Sequence, residues 1–176
     1  KNKEKLSNIS LKKSDEIIKD LCQQITKLGG KPSAEETDQK NLIKNLTRQL
    51  ETILVNSILQ DKSKNIINND EINGIKLRLQ KVEGLPPKEL RKLVDEGKKE
   101  LKEGIVIVFA YKDEKVGIAV GVTEKLTDKF DAVQFVKVGS EIIGGQGGGG
   151  RKDFAQAGGQ DHSKIEEAFQ KLKTLI

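Results

Sequence analysis

Residues 144–159 read Gly-Gly-Gln-Gly-Gly-Gly-Gly-Arg-Lys-Asp-Phe-Ala-Gln-Ala-Gly-Gly, and eight of the chain's 17 glycines lie within them. Glycine loses more backbone entropy on folding than any other residue. It is concentrated where φ must be positive or where another group approaches the backbone closely. Successive N–H groups without Cβ atoms can form a concave nest for an anion. The run therefore predicts a nest at Gly147–Gly150, with Arg151 and Lys152 beside it as phosphate partners. A flexible linker would also be glycine-rich, but Ile142, Ile143, Phe154 and Ala155 frame this run with apolar residues.

Two familiar glycine motifs fit poorly. Gly145, Gly147 and Gly150 satisfy G-x-G-x-x-G, but the dinucleotide fingerprint needs a strand before it and a helix immediately after. Here a helical pattern precedes the run. A P-loop ends in Gly-Lys-Ser/Thr, whereas this run ends in Gly150-Arg151-Lys152-Asp153.

The stretch resembles the terminal signature of alanyl-tRNA synthetases, in which Gly-Gly-x-Gly-Gly-Gly leads into Arg-Pro-Asp-x-Ala-Gln-Ala-Gly-Gly. Residues 144–159 follow that signature, with one further glycine before Arg151; the departure is Lys152, which stands where the family has proline. The resemblance covers about residues 75–176 by motif. It implies the C-terminal, DHH-associated type of domain, which docks on the tRNA body and assists aminoacylation and editing. The same domain type closes the DHH-family phosphoesterases, where a histidine follows the glycines; Arg151 at that place favours the synthetase. A substrate-binding domain of such a phosphoesterase is the alternative reading, and a pure protein-interaction module is a third.

The candidate nucleic-acid-binding residues are Gly147, Gly148, Gly149, Gly150, Arg151, Lys152, Gln156, Gly158 and Gly159. Arg78, Arg91 and Lys92 join them from the basic tract 76–92. That tract also holds Lys76, Lys81 and Lys88 against only Glu83 and Glu89. The formal net charge is +5, which suits an anionic partner. Most of the excess lies in residues 1–80, with 15 basic against 11 acidic residues, while 81–176 hold 17 against 16. A nucleic-acid surface in the second half must therefore be a local patch. One tyrosine, five phenylalanines and no tryptophan argue against extensive base stacking.

Cys22 and His162 are the only residues of their types. They cannot form an intrachain disulfide, a His pair for a metal or the four-ligand zinc site of a synthetase editing domain. A reducing compartment, the cytoplasm, is the natural setting. No catalytic residue and no metal ligand is assigned. The fragment is expected to be no enzyme by itself and to carry no cofactor; ATP, Mg and Zn are implied only for missing parts of a parent synthetase. Lys1 at the start and the absence of methionine suggest a piece of a longer chain. His162, just before a helix start, is either a solvent-facing cap residue or a contact for a phosphate or 2′-hydroxyl.

The first 70 residues read as a helical hairpin. Residues 1–12 read as a frayed start. Ile18, Leu21, Ile25 and Leu28 form a 3-4-3 seam that ends at Gly29-Gly30. A capping box over residues 33–36 starts a second helix, whose seam is Ile43, Leu46, Leu50 and Ile53. Those four residues are the candidate dimerisation surface, with docking onto other parts of a parent chain as the alternative. The polar, turn-rich segment 61–74 marks the boundary, giving a hairpin over 1–70 and a globular domain over 71–176.

The globular part reads β-α-β-β-α, then the glycine run, a short strand near 154–156 and a last helix. Ile75–Leu79 alternate as a half-buried strand, and Pro86-Pro87 introduce a helix. Ile105–Tyr111 are apolar throughout, as in a central strand covered on both faces. Val116, Ile118, Val120 and Val122 alternate with the small Gly117, Ala119 and Gly121, which predicts a helix packed closely on that face. A helix is expected over 130–143, and a capping box, Ser163 to Glu166, opens the last one. The fold class is α+β: a small mixed sheet with helices packed on it.

Overall fold

The computed structural model describes residues 2–33 and 38–176, with side chains from residue 11 onward. The chain divides into two compact units, Lys1–Ser57 and Ile58–Ile176. Among the described residues, no helix is long and apolar enough to cross a membrane.

The first unit is built from α1 (Asn2–Lys27) and the greater part of α2 (Gln39–Gln60). Residues 2–12, expected to fray, are helical; lysine, glutamate and leucine are all good helix formers. Gly29 takes φ 81° and ends α1. The two helices meet through Ile25 and Ile53, whose side chains crowd Gly30 so closely that a Cβ there would stand 2.6 Å from Ile53 Cδ1. Gln49 fixes the connection: its amide donates to the Lys31 carbonyl at 2.7 Å, and its carbonyl accepts from the Ser33 N–H at 3.2 Å. From Ala34 on, the capping box lies outside the described residues.

The proposed seam needs two corrections. Leu46 is completely buried within the single chain, so it is a packing residue rather than an exposed interface residue. Ile43, Leu50 and Ile53 are half-buried. Leu28 leaves the seam because α1 stops at Lys27, and its side chain is 44% exposed. Among the described side chains of this unit, the exposed large apolar residues are Leu11, Ile17, Leu28 and Leu54.

The second unit is a six-stranded sheet in the order β1-β2-β3-β4-β6-β5. Its strands are β1 (Asn65–Ile72), β2 (Ile75–Glu83), β3 (Ile105–Lys112), β4 (Lys115–Val122), β5 (Gly148–Arg151) and β6 (Phe154–Gly159). Only β2 and β3 pair in parallel; the other neighbours are antiparallel. The helix α3 (Leu90–Leu101), entered through a short turn at Pro87–Glu89, makes the crossover between β2 and β3. Beyond β4 come α4 (Ala132–Ile142) and, after β6, α5 (Ile165–Lys173).

Two strands were not expected. β1 occupies the polar segment read as a boundary, and the second unit begins at Ile58 rather than after residue 70. It pairs with β2 through a two-residue turn in which Asn73 and Gly74 have φ 51° and 79°. Positive φ at both positions matches the twist of the flanking strands. The other unexpected strand is β5, made from the glycine run itself.

The sheet's two faces carry different layers. On one, Leu77, Ile107, Phe109, Ile118 and Val120 pack with Phe135 and Val136 of α4 and with Ile165, Phe169 and Leu172 of α5 in one buried core. Phe109 meets Phe169 edge-on, with ring centroids 5.1 Å apart, a geometry worth about 0.5–1.5 kcal/mol beyond area burial. On the other face lies α3, whose Leu90, Leu93, Val94 and Gly97 are buried. The small residues of β4 admit it as expected: Gly117 sits under Leu90 and Pro87, and Gly121 under Val94 and Lys98.

Candidate nucleic-acid interface

The glycine run is extended rather than coiled into a nest. Gly148, Gly149, Gly150 and Arg151 pair antiparallel with Ala157, Gln156, Ala155 and Phe154. In a strand, successive residues face opposite sides, so the N–H groups of Gly148–Gly150 do not converge on one point. β5 is the last strand of the sheet, and all four of its residues are exposed.

The alternation divides the candidates into two sets. Gly121 and Gly117 lie beneath α3, and their cross-strand partners are Phe154 and Gly158. Phe154 and Gly158, with Gln156 between them, therefore share the α3 face, and so do Arg151 and Gly149 opposite them on β5. A Cβ on Gly149 would meet nothing within 4 Å. Gly148, Gly150 and Gly159 face the other way and are there for packing. A methyl on Gly148 would overlap Ala157 and the Gln156 carbonyl; one on Gly159 would overlap Ile143. Gly147, with φ 95°, turns the chain into β5.

α3 borders the glycine face. The Arg91 guanidinium lies over the Phe154 ring, 5.4 Å from its centroid. Lys92, next to it, is exposed. Arg78 departs from the expectation. It lies on β2, is only 7% exposed, and pairs with Glu100 of α3, so it cannot offer its guanidinium to a phosphate. The strand period put it on the inward face, under the helix.

The β5–β6 turn, Lys152-Asp153, is tied to three neighbours. The Lys152 carbonyl accepts from the Ala132 N–H at 3.0 Å, and the Asp153 carbonyl from Val122 N–H at 2.9 Å. Lys98 Nζ of α3 donates to the same Asp153 carbonyl at 3.3 Å. The last turn of α3 thereby meets the strand turn, and an open cleft of about 700 Å³ forms between them. Lys98, Lys99, Lys102, Arg151 and Lys152 line it, against three carboxylates: Glu124, Asp128 and Asp153. Thr123 and Thr127 add hydroxyls to the wall.

Lys98, Lys99 and Lys102 were not singled out in the sequence. Lysines in the last turn of a helix are the ordinary complement to its dipole. Their spacing gave no sign that the turn between β5 and β6 would lie beside them.

His162 is exposed, and its ring stacks on Tyr111 at 4.7 Å and 8°. Burial is the first cause, and the neighbouring Glu83 carboxylate the second, that hold the Tyr111 phenol above its usual range. The cap of the last helical segment is Asp161 rather than the expected Ser163. Its carboxylate accepts from the Ser163 hydroxyl and N–H, and those bonds hold it below the usual carboxylate range.

Comparison with known proteins locates this arrangement. The model of the DHHA1 domain matches residues 74–176. An alanine–tRNA ligase of Parvibaculum lavamentivorans is 48% identical over 107 residues, 60% of this chain and 12% of that protein. That of Bradyrhizobium diazoefficiens is 49% identical over 107 residues, with the same coverage. The chain thus spans about an eighth of the curated relatives it matches. Among solved structures, the C-Ala domain of Aquifex aeolicus alanyl-tRNA synthetase superposes with a TM-score of 0.58 at 30% identity, over 61% of this chain and 96% of that one. A family model matched over more than half the chain, on a fold shared with a C-Ala domain, establishes that the chain belongs to the DHHA1 domain family.

Proposed function

We propose that this chain is a tRNA-binding module of an alanine–tRNA ligase, and that it holds the tRNA body while other parts of a parent enzyme aminoacylate and edit. The observation that carries the reading is the cleft in which Arg151 and Lys152 meet Lys98, Lys99 and Lys102. It opens beside a sheet face carrying Gly149, Gln156 and Gly158, which a sugar–phosphate backbone can approach closely. Phosphate contacts of this kind set affinity and register without reading base sequence. Selection of the alanine tRNA, ATP-dependent chemistry and residence in the cytoplasm belong to the parent protein in this reading.

The first unit serves self-association in the same proposal. Its interface comprises the half-buried Ile43, Leu50 and Ile53 together with the exposed Leu54, while Leu46 holds the hairpin together from within.

Titration with a transcript of alanine tRNA tests the RNA reading. Binding is expected in the micromolar range and to weaken as salt rises, because each phosphate neutralised releases counterions. The double variant Lys98→Glu, Lys102→Glu should weaken it at least tenfold and reduce the salt slope by about two. An unchanged Kd in that variant would place the RNA surface elsewhere.

A further inference from the structure

We propose that Asp153 is a positioning residue: its carboxylate holds the Arg151 guanidinium in the orientation that receives a phosphate. The proposal rests on the RNA-binding reading above and concerns the same cleft.

Arg151 Nε lies 3.2 Å from Asp153 Oδ1, and Arg151 Nη2 lies 3.4 Å from Asp153 Oδ2. This is the side-on, two-pronged pairing of a guanidinium with a carboxylate. It uses Nε–H and one Nη2–H. A guanidinium has five N–H donors, so three remain, and two of them, one on Nη1 and one on Nη2, point out along its other edge. That edge can take a second two-pronged partner while the first pairing persists.

The backbone that carries the carboxylate is well anchored. The Asp153 carbonyl is fixed by Val122 N–H and Lys98 Nζ, and the preceding carbonyl by Ala132 N–H. The turn thus has three attachments, to β4, α3 and α4. The Arg151 side chain is 73% exposed, and among the described residues it is Asp153 that restrains its head. An unrestrained arginine loses rotamer freedom when it meets a ligand, and prior restraint removes that cost.

The inference makes a prediction opposite in sign to simple electrostatics. A carboxylate in a cleft for a polyanion should repel it, so neutralising Asp153 should tighten binding. If Asp153 orients Arg151, neutralising it weakens binding.

The test uses the whole chain and the alanine tRNA transcript at one fixed salt concentration. Asp153→Asn should raise Kd about three- to tenfold, the size of one newly immobilised side chain. It should do nothing in an Arg151→Ala background, since there is then no guanidinium to orient. Arg151→Lys keeps the charge but cannot take the two-pronged pairing, and should show the same loss. The Asp153 backbone bonds survive in the asparagine variant, so its thermal midpoint should be unchanged. Equal or tighter binding by Asp153→Asn, or wild-type binding by Arg151→Lys, overturns the positioning role. If Arg151→Ala itself binds like wild type, the RNA-binding reading of the cleft fails and the inference fails with it.

Discussion

The Ser140 hydroxyl, buried on α4, donates to the carbonyl of Gly158 at 2.8 Å and accepts from the N–H of Gly147 at 3.3 Å. One side chain thus joins the start of β5 to the far end of β6, and the Ser140 carbonyl also accepts from Gly145 N–H at 2.7 Å. A methyl on Gly145 would collide with that hydroxyl and with the Gly158 carbonyl, so glycine at 145 and serine at 140 are one packing solution. Ser140→Ala leaves a carbonyl and an N–H, both in part-buried hydrogen bonds, without this partner, at a cost of about 1 kcal/mol. Denaturant unfolding should show that loss with the slope unchanged. Hydrogen exchange should quicken at 147–158 before it does elsewhere. Uniform exchange across the sheet would show that Ser140 is not a local tie.

The glycines of β5 should respond to alanine in alternation. At Gly148 a methyl would collide with Ala157 and with the Gln156 carbonyl, neither of which is a flexible chain end. Relief requires moving β5 away from β6, and a loss of about 1–3 kcal/mol is expected, as for other overpacked sites. At Gly149 the same methyl enters open space. Gly149→Ala should be close to neutral or slightly stabilising, since alanine restricts the unfolded chain. It should, however, weaken tRNA binding, because it raises a bump beside Arg151 and Gln156 on the proposed RNA-facing side. Equal stability loss at both positions would show that this run is not a regular strand.

Most of the second unit was legible from period and turn chemistry alone. Ile105–Tyr111 had no polar alternation and lie in the centre of the sheet; Gly117 and Gly121 marked the face on which α3 packs. The two missed strands share one cause: both are edge strands with little apolar burial to register. β1 reads Asn-Ile-Ile-Asn-Asn-Asp-Glu-Ile, with six consecutive residues exposed. Its real signal was Asn73-Gly74, the turn pair that joins strands by a tight hairpin, set between Ile72 and Ile75. β5 has almost no side chains, so no period could be read from it. Of the candidate cleft, Arg151 and Lys152 stood in the motif itself. Lys98, Lys99 and Lys102 reach the same cleft only through the sheet's crossover, and Arg78 was misassigned because charge was counted without strand parity.

The first unit separates packing from association at two leucines. Leu46 is fully buried and Leu54 is 43% exposed. Leu46→Asp places a charge where none can be solvated, and the hairpin should lose helical circular dichroism along with any self-association. Leu54→Asp should keep the helical signal and lower the sedimenting mass if that surface joins two copies. A Leu46→Asp hairpin with wild-type helicity would contradict the packing described.

Tyr111 is the chain's single tyrosine, and there is no tryptophan, so tyrosinate absorbance reports one group. Burial first, then the charge and hydrogen bond of Glu83, raise its pKa above the ordinary value of 10.0. A raised folded-state pKa means that the neutral phenol contributes stability that is complete below pH 10. That contribution is lost as pH climbs from there through the folded value, because the unfolded chain gives up the proton first. Spectrophotometric titration should place the folded midpoint above that of the urea-unfolded chain. Glu83→Gln removes the like charge and should move it down towards 10, leaving only the burial contribution. The His162 ring, stacked on the same phenol at 4.7 Å, supplies the comparison. His162→Ala exposes one face of Tyr111 to water and should also lower the midpoint. A midpoint indifferent to both changes would mean that Tyr111 is as solvated in the folded protein as in the unfolded chain.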